Sequence, residues 1–441
     1  MKVFGRRCLL SAGFLGMLSS MALPVSAALD FHPLYGFSLS YSDNATLAPR
    51  DEKDDWIFNA YLGAELAYKT SELTSKAVAT VSRESYLDDT FDAETYANLE
   101  TSAAWTIVED RIVLEVQDIF SQKPVRSIDV QTPDNSQNVN AFSIGPAFTI
   151  PAGDRQQVTI QPVYQNYYFE KSNFGSQRYL LYSMLQHKLT PTRELSLHAD
   201  IGKVDYYLED PDTGISPDFD VQKVYAGFTS EQRLSKYTIH FGGVNIDRKA
   251  FLDQKGLYGS FVWTGGFTES SDLIVKLASD LTDNGTGLLD IVTRLDEGAV
   301  IGSASNIDSA EQIAADVMRN SQLRVLYRRH SSILISDFWF SLHKLNYKVL
   351  PLDRDVGELG ARFDYKMNPR MTAQLHARFR KTNERNEGSD YNRYVYGTGL
   401  RYSLSRDYSL GFDLYRNEKS SNNKNSEYVE NKAVIRFIYT R

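Results

Sequence analysis

The sequence predicts an all-β protein, a transmembrane antiparallel up-and-down β-barrel of about 20 strands (18–22), and three observations carry that expectation. Segments of bilayer length alternate apolar and polar residues. The connections between them are alternately short and long. Beyond the first 27 residues there is no apolar run of the roughly 18 residues that a membrane helix requires. A mean hydropathy of -0.38 with 42% hydrophobic residues suits such a barrel, because lipid-facing and lumen-facing residues alternate and each strand averages to neutral. Aromatics make up 12% of the chain, 27 of them Tyr, as interfacial girdles require.

The first residues read as a secretory leader. Lys2, Arg6 and Arg7 precede an apolar stretch from Leu9 to Leu23, and the small residues around Pro24-Val25-Ser26-Ala27 predict cleavage after Ala27. Residues 1–27 are thus expected to be a signal peptide and 28–441 the barrel, delivered by Sec export through the periplasm to the cell outer membrane. Arg6-Arg7 alone would also open a twin-arginine signal, but the residues after Arg7 match that pattern poorly. Cys8 is the only cysteine and falls in the leader, so the mature chain is expected to lack disulfides, thiol chemistry and a lipid anchor. No linker or composition shift divides the 441 residues, which argues for one large sheet. A net charge of -8 argues against a nucleic-acid partner.

The clearest strand runs from Trp56 to Tyr68, with Trp56, Phe58, Ala60, Leu62, Ala64, Leu66 and Tyr68 on one face and Asn59, Tyr61, Gly63, Glu65 and Ala67 on the other. At about 3.3 Å per residue and a tilt near 40° it spans roughly 30 Å. Ala97, Leu99, Thr101, Ala103, Trp105 and Ile107 form a second outward face, and Tyr394, Tyr396, Thr398, Leu400, Tyr402 and Leu404 a third. Short turn signals at 69–72, 109–111, 151–155, 190–194, 234–236, 269–272, 330–332, 368–370 and 405–407 mark the periplasmic side. Longer Asp/Asn/Gly-rich connections at 43–55, 122–138, 209–218 and 383–390 mark the extracellular side.

The longest connection, 285–320, contains Asp308-Ser309-Ala310-Glu311, a capping-box pattern, followed by Ile313, Ala314, Val317 and Met318 at helical spacing. A short helix is expected there, either folded into the lumen as a constriction or lying across an outer loop.

With outward faces set by their apolar residues, the lumen faces of the later strands carry Arg324, Arg328, Arg362, His376, Arg378, Arg380, Arg393, Arg401 and Arg436. The early strands offer Glu65, Glu84, Glu100 and Glu115. Two readings stay open: a transverse field that selects a polar or anionic permeant, or neighbouring Arg and Glu that simply pair in a wet lumen. Ser341 and His343 share a face with Asp337 and Trp339, the composition of a hydrolase site, but same-face spacing arises readily by chance and no enzyme is expected. Asp210-Pro211-Asp212-Thr213-Gly214 has the opening pattern of a calcium loop, and acidic clusters at 51–55 and 88–92 offer divalent-ion ligands; solvated loops are the preferred explanation of all three. There is no zinc spacing, phosphate loop or dinucleotide fingerprint, and no cofactor is expected.

The stretch Ser38-Leu39-Ser40-Tyr41-Ser42-Asp43-Asn44-Ala45-Thr46-Leu47-Ala48-Pro49, followed by Asp54-Asp55-Trp56-Ile57, resembles the opening hairpin of the PEP-CTERM-system-associated outer-membrane β-barrel family, a branch of the β-barrel porin 2 group. Val108-Glu109-Asp110-Arg111, Asp134-Asn135 with Asn138-Val139, and Ser143-Ile144-Gly145-Pro146 agree as well. The likeness is clearest over the first third of the chain. It implies an outer-membrane barrel tied to exopolysaccharide and exosortase loci, serving export or surface assembly of polysaccharide. Its implied partners are outer-membrane lipid and lipopolysaccharide, the barrel assembly machinery and polysaccharide export components. A general diffusion porin is the alternative. Outer-membrane barrels usually end on an aromatic residue; here Ile435, Phe437 and Tyr439 alternate ahead of Arg441, so assembly recognition is expected to use Phe437 and Tyr439.

Overall fold

The computed structural model describes residues 29–125, 132–171, 175–207, 217–268, 270–283, 316–385 and 390–440. The leader, the Asp210–Gly214 loop and most of the 285–320 connection lie outside these residues.

The described chain forms 20 strands of 13 to 16 residues. They are β1 (Leu29–Ser42), β2 (Asp55–Lys69), β3 (Leu73–Tyr86), β4 (Glu94–Val108), β5 (Ile112–Pro124), β6 (Ser136–Pro151), β7 (Gln156–Phe169), β8 (Ser176–Thr190), β9 (Arg193–Tyr206) and β10 (Phe219–Gln232). Next come β11 (Ser235–Arg248), β12 (Gln254–Thr268), β13 (Ser271–Asp283), β14 (Val317–His330), β15 (Leu334–Tyr347), β16 (Arg354–Asn368), β17 (Met371–Glu384), β18 (Tyr391–Ser403), β19 (Tyr408–Ser421) and β20 (Tyr428–Thr440). Each pairs antiparallel with its neighbours in sequence, and β1 pairs with β20, so the sheet closes and no edge is left to bond lipid. No helix among the described residues is long and apolar enough to cross a membrane.

Parity fixes the two faces. Leu62 is 67% exposed, Phe241 64% and Leu359 56%, and register places such apolar residues on one continuous outer surface. Twenty strands about 4.8 Å apart and tilted near 40° enclose a backbone cylinder roughly 40 Å across, too wide for side chains alone to fill. One rim carries tight turns, such as Asp110 at φ 57° between β4 and β5, and both ends of the described chain; the other carries the long connections.

The closing seam is distinctive. β1 pairs with β20 over nine residues, Leu34–Ser42 with Thr440–Lys432, against fourteen with β2. On the lipid side, aromatic pairs bind the seam: Tyr35 stacks on Tyr439 at 4.4 Å and Phe37 on Phe437 at 5.4 Å, contacts worth about 0.5–1.5 kcal/mol each beyond their buried area. At the outer rim Asn44 is wholly buried. Its Nδ2 donates to Ala48 O (2.8 Å) and Val429 O (3.0 Å), its Oδ1 accepts from Ala48 N (2.9 Å), and Ser42 Oγ donates to Glu430 at 2.8 Å. The Ser38–Pro49 stretch thus shapes the first outer loop and ties it to the last strand.

Candidate functional site: the lumen and its inward-folded hairpin

β12 and β13 pair from Thr268/Ser271 as far as Gly259/Ser279 and then part, while β13 stays paired with β14 up to Asp283/Val317. Above the split, the outward parity of β13 and β14 no longer meets lipid. Leu277 is 44% exposed, but Leu281 and Val317, on the same face, are 2% and 1% exposed. They pack against Val204, Phe219, Val244 and Ile246, which are lumen-facing residues of β9, β10 and β11. The tip of the β13–β14 hairpin therefore folds inward onto the neighbouring part of the inner wall, β9–β11. Burying each of these side chains is worth about 1.5–3 kcal/mol. Arg319 occupies the split, donating to Leu257 O (3.4 Å) and Ser279 Oγ (3.1 Å) where the β12 edge has lost its partner; Gly256 leaves room for the guanidinium, which a Cβ there would strike.

Two buried ion pairs fasten the tip. Arg178 on β8 grips Asp283 in a fork (Nη1 to Oδ1 2.9 Å, Nη2 to Oδ2 2.5 Å), side chains 4% and 1% exposed, and the Tyr206 hydroxyl donates to the same carboxylate at 2.8 Å. β8 and β13 are five strands apart along the wall, about 24 Å at normal strand spacing, so this contact exists only because the hairpin leans in. Asp316 is the second anchor. Its Oδ1 accepts from Arg248 Nη2 (3.0 Å), and its Oδ2 accepts from the backbone N–H groups of Lys348, Val349 and Leu350 at 3.1, 2.8 and 3.0 Å, a nest that closes the β15–β16 connection over the tip. Beside it, Met318, Leu345 and Tyr347 form an apolar cluster against Leu350 and Leu352. Val317 and Met318, expected in a helix, are thus the first residues of β14, and the long connection ends by residue 316; the helix expected before them lies outside the described residues. At the rim, the Asp218 carboxylate 2.9 Å away holds the Lys249 ammonium above the usual lysine range.

Below the tip, β8–β12 present an aromatic surface to the lumen. His198 lies flat on Tyr225 (4.3 Å, 7°), His240 meets both edge-on at 5.4 Å, and Tyr258 packs on Tyr225 at 4.7 Å. The imidazoles are oriented by Ser196 (2.9 Å) and Ser260 (3.0 Å). Gly242 lies under Tyr225, where a Cβ would run into the ring's own backbone and Cβ. Lys223 joins surface and tip: its Nζ lies 4.5 Å over the Tyr258 ring and 2.5 Å from Asp280. Asp200 stands across from Lys223 in the register.

All thirteen charged residues named from the sequence fall on the face opposite the exposed apolar one. They do not form a uniform basic wall opposite an acidic one. Arg328 pairs with Asp337 (3.1 Å), Arg362 with Asp364 (2.8 Å), Arg380 with Glu358 (2.6 Å) and Arg436 with Asp413 (2.7 Å). Arg393 donates to Asn417 (3.0 Å), His376 packs against Tyr415 (5.3 Å), and Arg324 and Arg378 are also partnered. Arg401, exposed, has no carboxylate within ion-pair distance among the described residues. On the early strands Glu65 pairs with Lys76 (2.9 Å), Glu84 accepts from Tyr86 (2.8 Å), Glu115 accepts from Gln161 (2.8 Å), and Glu100 lies within electrostatic reach of Lys123 and Lys76. The arginines' acidic partners were legible on the same strand faces.

Asp337, the carboxylate that a site built on Ser341 and His343 would use, is engaged by Arg328, and Trp339 Nε1 donates to Glu358 at 2.8 Å. Among the acidic loop residues, Asp55 is wholly buried and accepts from the backbone N–H groups of Asp88 and Thr90. Among the described residues no group of three or more His, Cys, Asp or Glu is placed to hold a metal ion.

No family model matches the chain, and no curated protein does. Solved structures do. Two variants of the ferric enterobactin receptor PfeA from Pseudomonas aeruginosa each match over 93% of this chain and 80% of theirs at 9% identity, with TM-scores of 0.52 and 0.51. The siderophore receptor PirA from the same organism matches at 12% identity over 93% and 80%, with a TM-score of 0.46. At such identities the likeness is one of fold, and the fold is the closed antiparallel barrel of outer-membrane proteins.

Proposed function

We propose that the chain forms an outer-membrane pore, narrowed by the inward-folded β13–β14 hairpin, that passes or holds a polysaccharide during export or surface assembly. The observation that carries this reading is the aromatic surface of His198, Tyr225, His240 and Tyr258 lying in the lumen beneath that hairpin. Sugar rings present C–H faces that stack on aromatic rings, and their hydroxyls suit neighbouring groups such as Asp200 and Lys223. The resemblance of Ser38–Pro49 and Asp54–Ile57 to barrels of exopolysaccharide loci supports the same permeant. Charge pairing along β14–β20 speaks for a lumen that is polar without strong ion preference, and leaves a general diffusion porin as the competing reading.

Planar-bilayer recording separates the two. The full-length protein should conduct, and added linear oligosaccharides should interrupt the current in a concentration-dependent way. Tyr225→Ala should weaken that block about tenfold, the equivalent of one lost stacking contact, with open conductance unchanged. A current that oligosaccharides never interrupt would favour the diffusion porin, and silence even after removal of residues 284–315 would sink the transport reading.

A further inference from the structure

The bend that brings the β13–β14 tip into the lumen dents the outside of the wall. Across the upper halves of β12 to β17 the lipid-facing surface is concave, a groove of about 820 Å3, within the range of small-molecule sites at about 300–1,000 Å3. Its floor is Phe261, Leu277, Leu323 and Leu342, all of outward parity. Its rim carries Lys344 and Lys381. Each stands ten residues above the start of its strand, Leu334 and Met371, or about 25 Å above the turns, where the apolar band meets the outer headgroups. Both are exposed, and among the described residues neither has a carboxylate within ion-pair distance; the acid beside them, Asp355, is taken by Arg385 at 2.6 Å.

We propose that this groove is a binding site for a phosphorylated, multiply acylated glycolipid of the outer leaflet, of the lipid A type. A concave apolar surface at membrane depth cannot be filled by water, so an acyl chain is the natural occupant of the floor. Two free ammonium groups at headgroup height call for an anionic head. They sit two strands apart, about 10 Å at normal spacing, a separation that suits a disaccharide bearing two phosphates better than a single phosphodiester. The lysine stems lie along the groove wall while their amines reach the interface. A seated lipid backs the bent strands from outside, where they would otherwise lean on nothing.

The test uses the full-length protein, delipidated in detergent and titrated with purified diphosphorylated lipid A while native mass spectrometry counts bound lipid. Wild type should hold one lipid A in preference to phosphatidylglycerol. Lys344→Gln with Lys381→Gln should weaken binding roughly tenfold or more. Leu323→Trp, which fills the floor without touching the rim, should also remove the bound lipid while the heat-modifiable folded band on a gel stays in place. Equal retention of lipid A by wild type and both variants would assign the lipid to the general annulus and overturn the proposal. Equal competition by phosphatidylglycerol would overturn the choice of a glycolipid. Appearance of a protein dimer in place of bound lipid, lost in Leu323→Trp, would make the groove a contact between copies.

Discussion

Two parts of this barrel use the same chemistry for different ends. The ion pairs at the hairpin tip, Arg178–Asp283 and Arg248–Asp316, are 1–4% exposed, whereas the lumen pairs Arg362–Asp364 and Arg436–Asp413 have arginines 44% and 31% exposed. A pair shut away from water holds its partners rigidly, and removing one member strands a charge at a cost of about 3–5 kcal/mol. A pair bathed by the lumen contributes about 0–1 kcal/mol and is screened by salt. The tip is therefore a fixture of the fold, and the water-exposed pairs of the lumen lining are an adjustable coating.

The comparison breaks first at Asp316, which gathers one arginine and three loop amides. Asp316→Ala should release both the tip and the β15–β16 connection, raising single-channel conductance severalfold and opening that connection to added protease; unchanged conductance would show that Arg178–Asp283 and the apolar contacts hold the tip without Asp316. Arg178→Ala should have a smaller effect of the same sign, because Tyr206 still serves Asp283. Adding Asp283→Ala should recover part of the loss, and a double-mutant cycle on thermal stability measures the coupling. Arg362→Gln comes last. It should leave the unfolding free energy within about 1 kcal/mol of wild type and shift the reversal potential toward cations at low salt only; a clear loss of stability would mean that this pair, too, is structural.

The barrel itself was plain in the sequence because period-two alternation and alternating connection lengths are local signals. Trp56–Tyr68, the turn at Glu109–Arg111 and the Tyr394–Leu404 face all appear in the structure as the pattern requires. The inward bend was hidden because parity assigns a face and not a curvature. Leu281 and Val317 alternate in step with lipid-facing Leu277 and Leu323, and nothing in their spacing tells that the same face meets protein further along the strand. Val317 and Met318 also continue a helical i, i+3, i+4 pattern from Ala314, and for so short a run the strand ladder decides. Asp280, Asp283 and Asp316 give no signal in the sequence because their arginine and lysine partners lie 57 to 105 residues away, the shortest separation being Lys223 to Asp280.

The closing seam bears on how the molecule is made. The ladder joining Tyr35 to Tyr439 makes the longest loop closure in the chain, and so carries the largest closure entropy until the intervening hairpins bring its strands together. With nine pairs it is also among the shortest ladders, equalled by β4–β5 and β12–β13. In the time before it forms, Leu34–Ser42 and Lys432–Thr440 are two open edges of one growing sheet, and the aromatic residues arrayed along them give each edge a surface by which the other can recognise it.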